Sequence, residues 1–219
     1  MLKLIARELK RHVPFTALGT LTGIIILVII VFGDVPSHVS QTAFYISHPL
    51  HVLLSALVTT AMYMRYRRSK FWAAILIGWT GSVGIATVSD AVIPYLSGTL
   101  LHIPMEFEIP FIETTKMPVI GIEKWIIVNS AALVGIAIGY WKHTTRVPHA
   151  GHVLLSTWAS LFYFTSFGVA DWIRLLPFVS VFLFLAVWIP CCTSDIVYPL
   201  LFVRMKPELL SPERQEATS

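Results

Sequence analysis

Two histidines three residues apart open an apolar stretch, His48-Pro-Leu-His51-Val-Leu-Leu-Ser55, and the arrangement returns as His149-Ala-Gly-His152-Val-Leu-Leu-Ser156. On a helix, residues i and i+3 share a face with Cβ atoms roughly 5–6 Å apart, so each imidazole pair could bind one metal ion. A carboxylate follows each pair in matching surroundings: Asp90 in Ser89-Asp90-Ala-Val-Ile-Pro94, and Asp195 in Ser194-Asp195-Ile-Val-Tyr-Pro199. Two imidazoles and a carboxylate suit Zn²⁺, Fe²⁺, Mn²⁺ or Co²⁺. His38 and His143 precede the pairs and could each provide a fourth ligand. The plainer reading makes the histidines interfacial residues at helix ends and the aspartates caps or partners of arginine. Cost argues against it, since an aspartate near the bilayer centre carries roughly +2.5–3.5 kcal/mol on insertion scales. Eight apolar or weakly polar residues separate Asp195 from Arg204, so Asp195 needs a partner, and His149 and His152 are the nearest repeated candidates.

The elements that must position these residues are themselves repeated. The histidine pairs lie 101 residues apart and the aspartates 105; His38 and His143 are also 105 apart, and Pro14 and Pro118 are 104 apart. A near-constant offset along the chain indicates a duplicated unit that carries its polar residues with it.

Composition tells what the unit is made of. Of 219 residues, 56% are hydrophobic and only 13% charged, with a mean hydropathy of +0.74, too apolar for a soluble domain. Stretches 16–32, 71–89, 125–141 and 175–194 contain no charge, and two more apolar runs begin at the histidine pairs. Roughly 20 such residues cross a bilayer, so the sequence predicts six spans, at 14–33, 47–66, 71–96, 120–141, 149–170 and 174–203. Ser47 would cap the second span, with Pro49 in its first turn. Of the 16 basic residues, 13 fall on one side of this scheme, which puts both termini in the cytoplasm. The net charge of +4 is thus explained by topology and does not call for a nucleic-acid partner.

The expected fold is therefore an all-α integral membrane protein of six transmembrane helices in two halves. Residues 1–13 read as an amphipathic cytoplasmic segment along the headgroups, 14–97 as the first half, 98–119 as an outer acidic loop, 120–204 as the second half, and 205–219 as a cytoplasmic tail. An odd number of spans per unit makes this an inverted-topology 3+3 repeat, a plan common in secondary transporters. Inversion would place His48, His51 and Asp90 together at one depth, and His149, His152 and Asp195 together at the mirrored depth. A bacterial or archaeal inner membrane is the expected location, with the bilayer and a metal cation as partners; a homodimer stays open.

Other residues are less specific. In the outer loop Glu106 and Glu113 read equally well as ligands or a cation-gathering funnel and as solvated acids, whereas Glu108 and Glu123 read as solvated acids. Ser89 and Ser194 are the hydroxyls best placed to support metal ligands; Ser55, Ser156, Thr59 and Thr60 read as close-packing residues, as do Gly78, Gly81 and Gly84. Cys191 and Cys192 read first as small packed residues and second as soft-metal ligands beside Asp195. No nucleotide loop, nucleophile elbow or HExxH motif is present.

Three functions fit. A carrier for a divalent transition-metal cation, such as Zn²⁺, Fe²⁺ or Mn²⁺, uses both the inversion and the two sets. A membrane-embedded metal-dependent hydrolase acting on a lipid or amphiphile would use the open coordination positions, with no catalytic residue assignable. A b-type cytochrome in membrane electron transfer would use histidines from different spans. Whether the chain is an enzyme is left open by the sequence.

Overall fold

Charge-free stretches this long can satisfy their backbone groups in lipid only as helices, and helices are what the chain forms. The computed structural model describes residues 2–66, 71–117, 120–142 and 146–202; among them no strand occurs, only isolated bridges pairing Met105 with Gly168 and Lys116 with Glu123. Six long helices follow in order. Helix α1 is Leu2–Phe32, α2 Ser37–Tyr66 and α3 Phe71–Leu100. Helix α4 is Lys124–Trp141 and α5 Arg146–Phe167. Helix α6 starts as Trp172–Cys192 and continues through a π-helical turn, Thr193–Val197, into Tyr198–Leu201. Helix α3 passes through two such wide turns, Thr80–Gly84 and Val88–Val92. Helices α1, α2, α3, α4 and α6 are long and apolar enough to cross a membrane, as expected of a multi-pass protein. Helix α5 has 22 residues, enough for a sixth crossing.

Helices α2 and α5 form the centre, packed along each other, with α4 against α2 and α1 against α5. Polar and apolar residues are sorted accordingly. Phe15, Leu18, Leu21, Ile25 and Ile29 are exposed along α1, whereas Thr16 and Thr20 are buried. Lipid tails give helices no hydrophobic reason to associate, so small residues that allow close approach hold such bundles together. On α4, a Cβ at Gly135 would stand 2.2 Å from the Leu53 carbonyl oxygen, and one at Gly139 2.4 Å from that of Leu57. These two glycines, four apart, are what let α4 reach the α2 backbone. Gly78 is equally confined, facing Thr60 and Ile136, while Gly84 meets nothing within 4 Å.

Several boundaries differ from those expected. Residues 2–13 are not a separate segment: α1 runs unbroken through Pro14, which forfeits one backbone bond without ending the helix. Helix α2 begins at Ser37, ten residues before the expected start, because no breaker separates His38 from Ile46. Ser47 therefore caps nothing; its hydroxyl bonds back to the Ala43 carbonyl at 2.8 Å. Helix α3 continues to Leu100, past Pro94, which stands within the first two residues of the α-helical segment after the wide turn and so loses no essential bond. Helix α5 starts and ends three residues earlier than expected, and α6 two residues earlier at both ends.

Candidate metal centre

His48 and His51 occupy neighbouring positions on one face of α2, one turn apart, and their partner lies on α3. The turn Val88–Val92 is π-helical, with Ser89, Asp90 and Ala91 all buried; such widened turns recur at functional sites. Asp90 thereby faces α2. Its Oδ2 accepts from His51 Nδ1 at 2.6 Å and from His48 Nδ1 at 2.9 Å. Its Oδ1 accepts from the Ser156 hydroxyl on α5 at 2.9 Å. All four residues are buried, none more than 1% exposed. As a carboxylate Asp90 can only accept, so both imidazoles donate from Nδ1, and the neutral form of each carries its lone pair on Nε2. His48 stacks on Phe44, with ring centroids 5.4 Å apart, and its buried Nε2 has no hydrogen-bond partner among the described residues.

The first expected set, His48, His51 and Asp90, is therefore brought together, with one potential ligand atom from each within 4.8 Å of the others. One member of the expected second set, His152, is not separated from it by depth. His152, from α5, lies beside His51 with ring centroids 4.9 Å apart. His51, His152 and Cys191 form a second buried group within the same 4.8 Å limit, so that His51 belongs to both. His149 is in the first turn of α5 and Asp195 in the turn Thr193–Val197, and their side chains lie outside the described residues. His143 lies outside them altogether. His38 is exposed, ten residues before His48 on the same helix; at ~1.5 Å per residue that is roughly 15 Å away.

Of the loop acids, Glu106 is exposed and Glu113 half-buried. Both contribute backbone: the Glu106 carbonyl accepts from Tyr163, and the Glu113 carbonyl from the Trp125 amide. Glu108, expected to be solvated, turns inward instead. It pairs with Lys124 at 3.0 Å and accepts the Tyr45 hydroxyl, while the Lys124 ammonium lies 4.2 Å from the Tyr45 ring centre. This fastens the loop over the end of α2 that leads to His48. Cys191, read first as a packed residue and second as a soft-metal ligand, is buried with Val153 and Val187 and also stands with His51 and His152. The available signal for the second reading was its place one turn before Asp195 on the same helix.

Hydroxyls tie the wide turns to the central helices. Ser89 stands 2.8 Å from Ser156 and donates to the Ala186 carbonyl at 2.8 Å, and Ser160 donates to the Ser89 carbonyl at 3.1 Å. At the wide turn of α6, Ser194 stands 3.1 Å from Ser55 and donates to the Gly81 carbonyl at 2.8 Å, and Thr59 donates to the Ser194 carbonyl at 3.2 Å. Ser156, expected to serve close packing, touches the carboxylate directly.

The geometry bears on chemistry. His51 and His152 are too close to flank a porphyrin, and Asp90 turns His48 and His51 toward one point instead of opposing them. A cavity of about 430 Å³ opens at the end of α2, lined among others by Tyr63, Leu76, Thr80 and Tyr198, and none of the cluster residues line it. What remains is a buried knot of imidazoles, a carboxylate and a thiol on α2, α3, α5 and α6. No protein-family model, curated protein or solved structure matches the sequence.

Proposed function

We propose that the protein carries a divalent transition-metal cation across a membrane, through the cluster centred on His51. The observation that supports this most strongly is that His51 belongs to two buried groups of potential ligands at once. One group lies on α2 and α3, the other spans α2, α5 and α6, so His51 joins elements from both parts of the chain at one point. Position supports the same reading. His51 is the fifteenth of 30 residues in α2, roughly 21 Å from either end at ~1.5 Å per residue. Carriers commonly hold their ions at this depth, where two structural repeats meet and helices are interrupted.

The halves of such a carrier would be α1–α3 and α4–α6, related as an inverted repeat with both termini cytoplasmic. Three correspondences support that relation. The wide turns Val88–Val92 and Thr193–Val197 begin 105 residues apart, the offset of the aspartates they contain. Ser89 and Ser194 each donate to a carbonyl 105 residues from the other's acceptor, Ala186 and Gly81. Ser160 and Thr59, which bond to those serines' own carbonyls, are 101 residues apart, as are the histidines.

The test is flux into sealed vesicles containing the purified full-length protein and a fluorescent Zn²⁺ indicator. Wild type is expected to admit Zn²⁺ above the protein-free rate and His51→Ala to return it to that rate. Equal flux from both, with both properly inserted, overturns the reading.

A further inference from the structure

The two groups around His51 do not offer the same chemistry. Asp90 already accepts three hydrogen bonds, from His48, His51 and Ser156. A carboxylate so engaged acts as the outer partner of a metal-binding imidazole, holding the tautomer whose Nε2 binds the ion. In His51 the nitrogen left over is Nε2, and the other group that His51 joins contains His152 and Cys191. We infer that the cation is coordinated by His51 Nε2, His152 and Cys191 Sγ, with Asp90 orienting His51, and that the cargo is Zn²⁺, not Mn²⁺ or Mg²⁺.

Softness and charge both lead there. Thiolate ligands favour Zn²⁺ among the divalent ions weighed above, whereas Mn²⁺ and Mg²⁺ prefer oxygen. Binding converts the Cys191 thiol to a thiolate and releases one proton, because a coordinating thiol is deprotonated. The ion's two positive charges then face two negative ones, the thiolate and the Asp90 carboxylate. The loaded cluster is neutral overall, which an apolar interior demands of any charge it encloses. Three protein ligands leave one tetrahedral position, the vacancy through which an ion could be handed on. Cys191 is buried in one cluster with Val153 and Val187, so the thiol is shielded from competing water.

The assignment rests on the reading that this cluster holds a cation at all, and the experiment separates the two. Purified full-length protein is titrated with Co²⁺, whose thiolate complexes show an intense near-ultraviolet charge-transfer band besides weaker visible bands. Wild type is expected to show both. Cys191→Ser and Cys191→Ala should lose the near-ultraviolet band, while Cys192→Ser should keep it. X-ray absorption at the zinc edge of the wild-type protein, which requires no variant, should find one sulfur near ~2.3 Å among nitrogens near ~2.0–2.1 Å. Cobalt bound with visible bands alone, or zinc without sulfur, overturns the thiolate assignment and leaves the carrier intact. A band that follows Cys192 also overturns it. No stoichiometric binding of either metal removes the cation site and the inference with it.

Discussion

Replacing Asp90 by asparagine separates an orienting carboxylate from a coordinating one. Asparagine keeps the shape and, with its carbonyl oxygen at the Oδ2 position, still accepts from His51 and His48, which stand 2.6 and 2.9 Å away. Its amide nitrogen then faces Ser156, whose hydroxyl oxygen, 2.9 Å from Oδ1 in the native protein, can accept instead of donate. The Ser156 proton can turn to the Ser89 hydroxyl 2.8 Å away. One amide hydrogen is left without an acceptor, a smaller loss than removing the side chain, so the helices should assemble. What is lost is the charge that strengthens two hydrogen bonds to imidazole and raises the basicity of the metal-facing nitrogens. Removal of such an outer partner typically lowers metal affinity 10–100-fold, which corresponds to about 1.4–2.7 kcal/mol. Competition for Zn²⁺ between the protein in detergent and a chromophoric chelator measures this directly. The expected result is an affinity lowered by roughly 10–100-fold with unchanged stoichiometry at saturation. A change below about threefold would refute the orienting role, because the carboxylate would then be irrelevant to the site. Loss of all binding in a properly assembled variant would refute it from the other side, showing Asp90 to be a direct ligand.

Other outcomes follow from the same contacts. His51→Ala should reduce Zn²⁺ affinity far more than His48→Ala, since only His51 belongs to both ligand groups; equal losses in a chelator titration would argue against sharing. Gly135→Ala should destabilise the bundle by roughly 1–3 kcal/mol, the usual cost of forced overpacking, because its Cβ would meet the Leu53 carbonyl at 2.2 Å. Thermal unfolding in detergent checks that, with Gly84→Ala, which meets nothing within 4 Å, as the control. Glu108→Gln should loosen the loop between α3 and α4 by weakening its contacts with Lys124 and Tyr45, and hydrogen exchange should speed up over 101–117 while that of α5 stays unchanged. Exchange unaffected throughout would mean the ion pair does not hold the loop.

Much of the fold was legible because bilayer thickness acts on composition in a way no other environment does. Uninterrupted apolar runs separated by basic clusters sufficed to find six helices. Their ends were harder, since a helix stops at a breaker and not where hydropathy falls. Hence α2 reaches back to Ser37, and only that extension reveals His38 to be about three turns from His48. The meeting of His48, His51 and Asp90 was legible because helical spacing joins the histidines and duplication flags the aspartate. That His152 would lie against His51 was not, because the depth at which α2 and α5 cross is decided by their packing. Spacing within each helix carries no record of it. Loop residues escaped for a related reason: without periodicity, nothing in the types of Glu106, Glu108 and Glu113 tells which one turns toward Lys124.

The hydrogen bonds of Asp90 explain how the bundle tolerates a carboxylate, but they account for only one nitrogen of each imidazole it touches. A structural role would be complete with one histidine per oxygen and no buried lone pair left over. Here His48 Nε2 is enclosed with no hydrogen-bond partner among the described residues, at a cost of roughly 1–3 kcal/mol for an unmet polar group. The same arrangement commits Nδ1 of His51 to Asp90, on a ring whose centre lies 4.9 Å from that of His152 and which groups with His152 and Cys191. A hydrogen-bonded strut would gain nothing from that expense. A site able to accept a cation would instead use buried nitrogens of this kind as ligands.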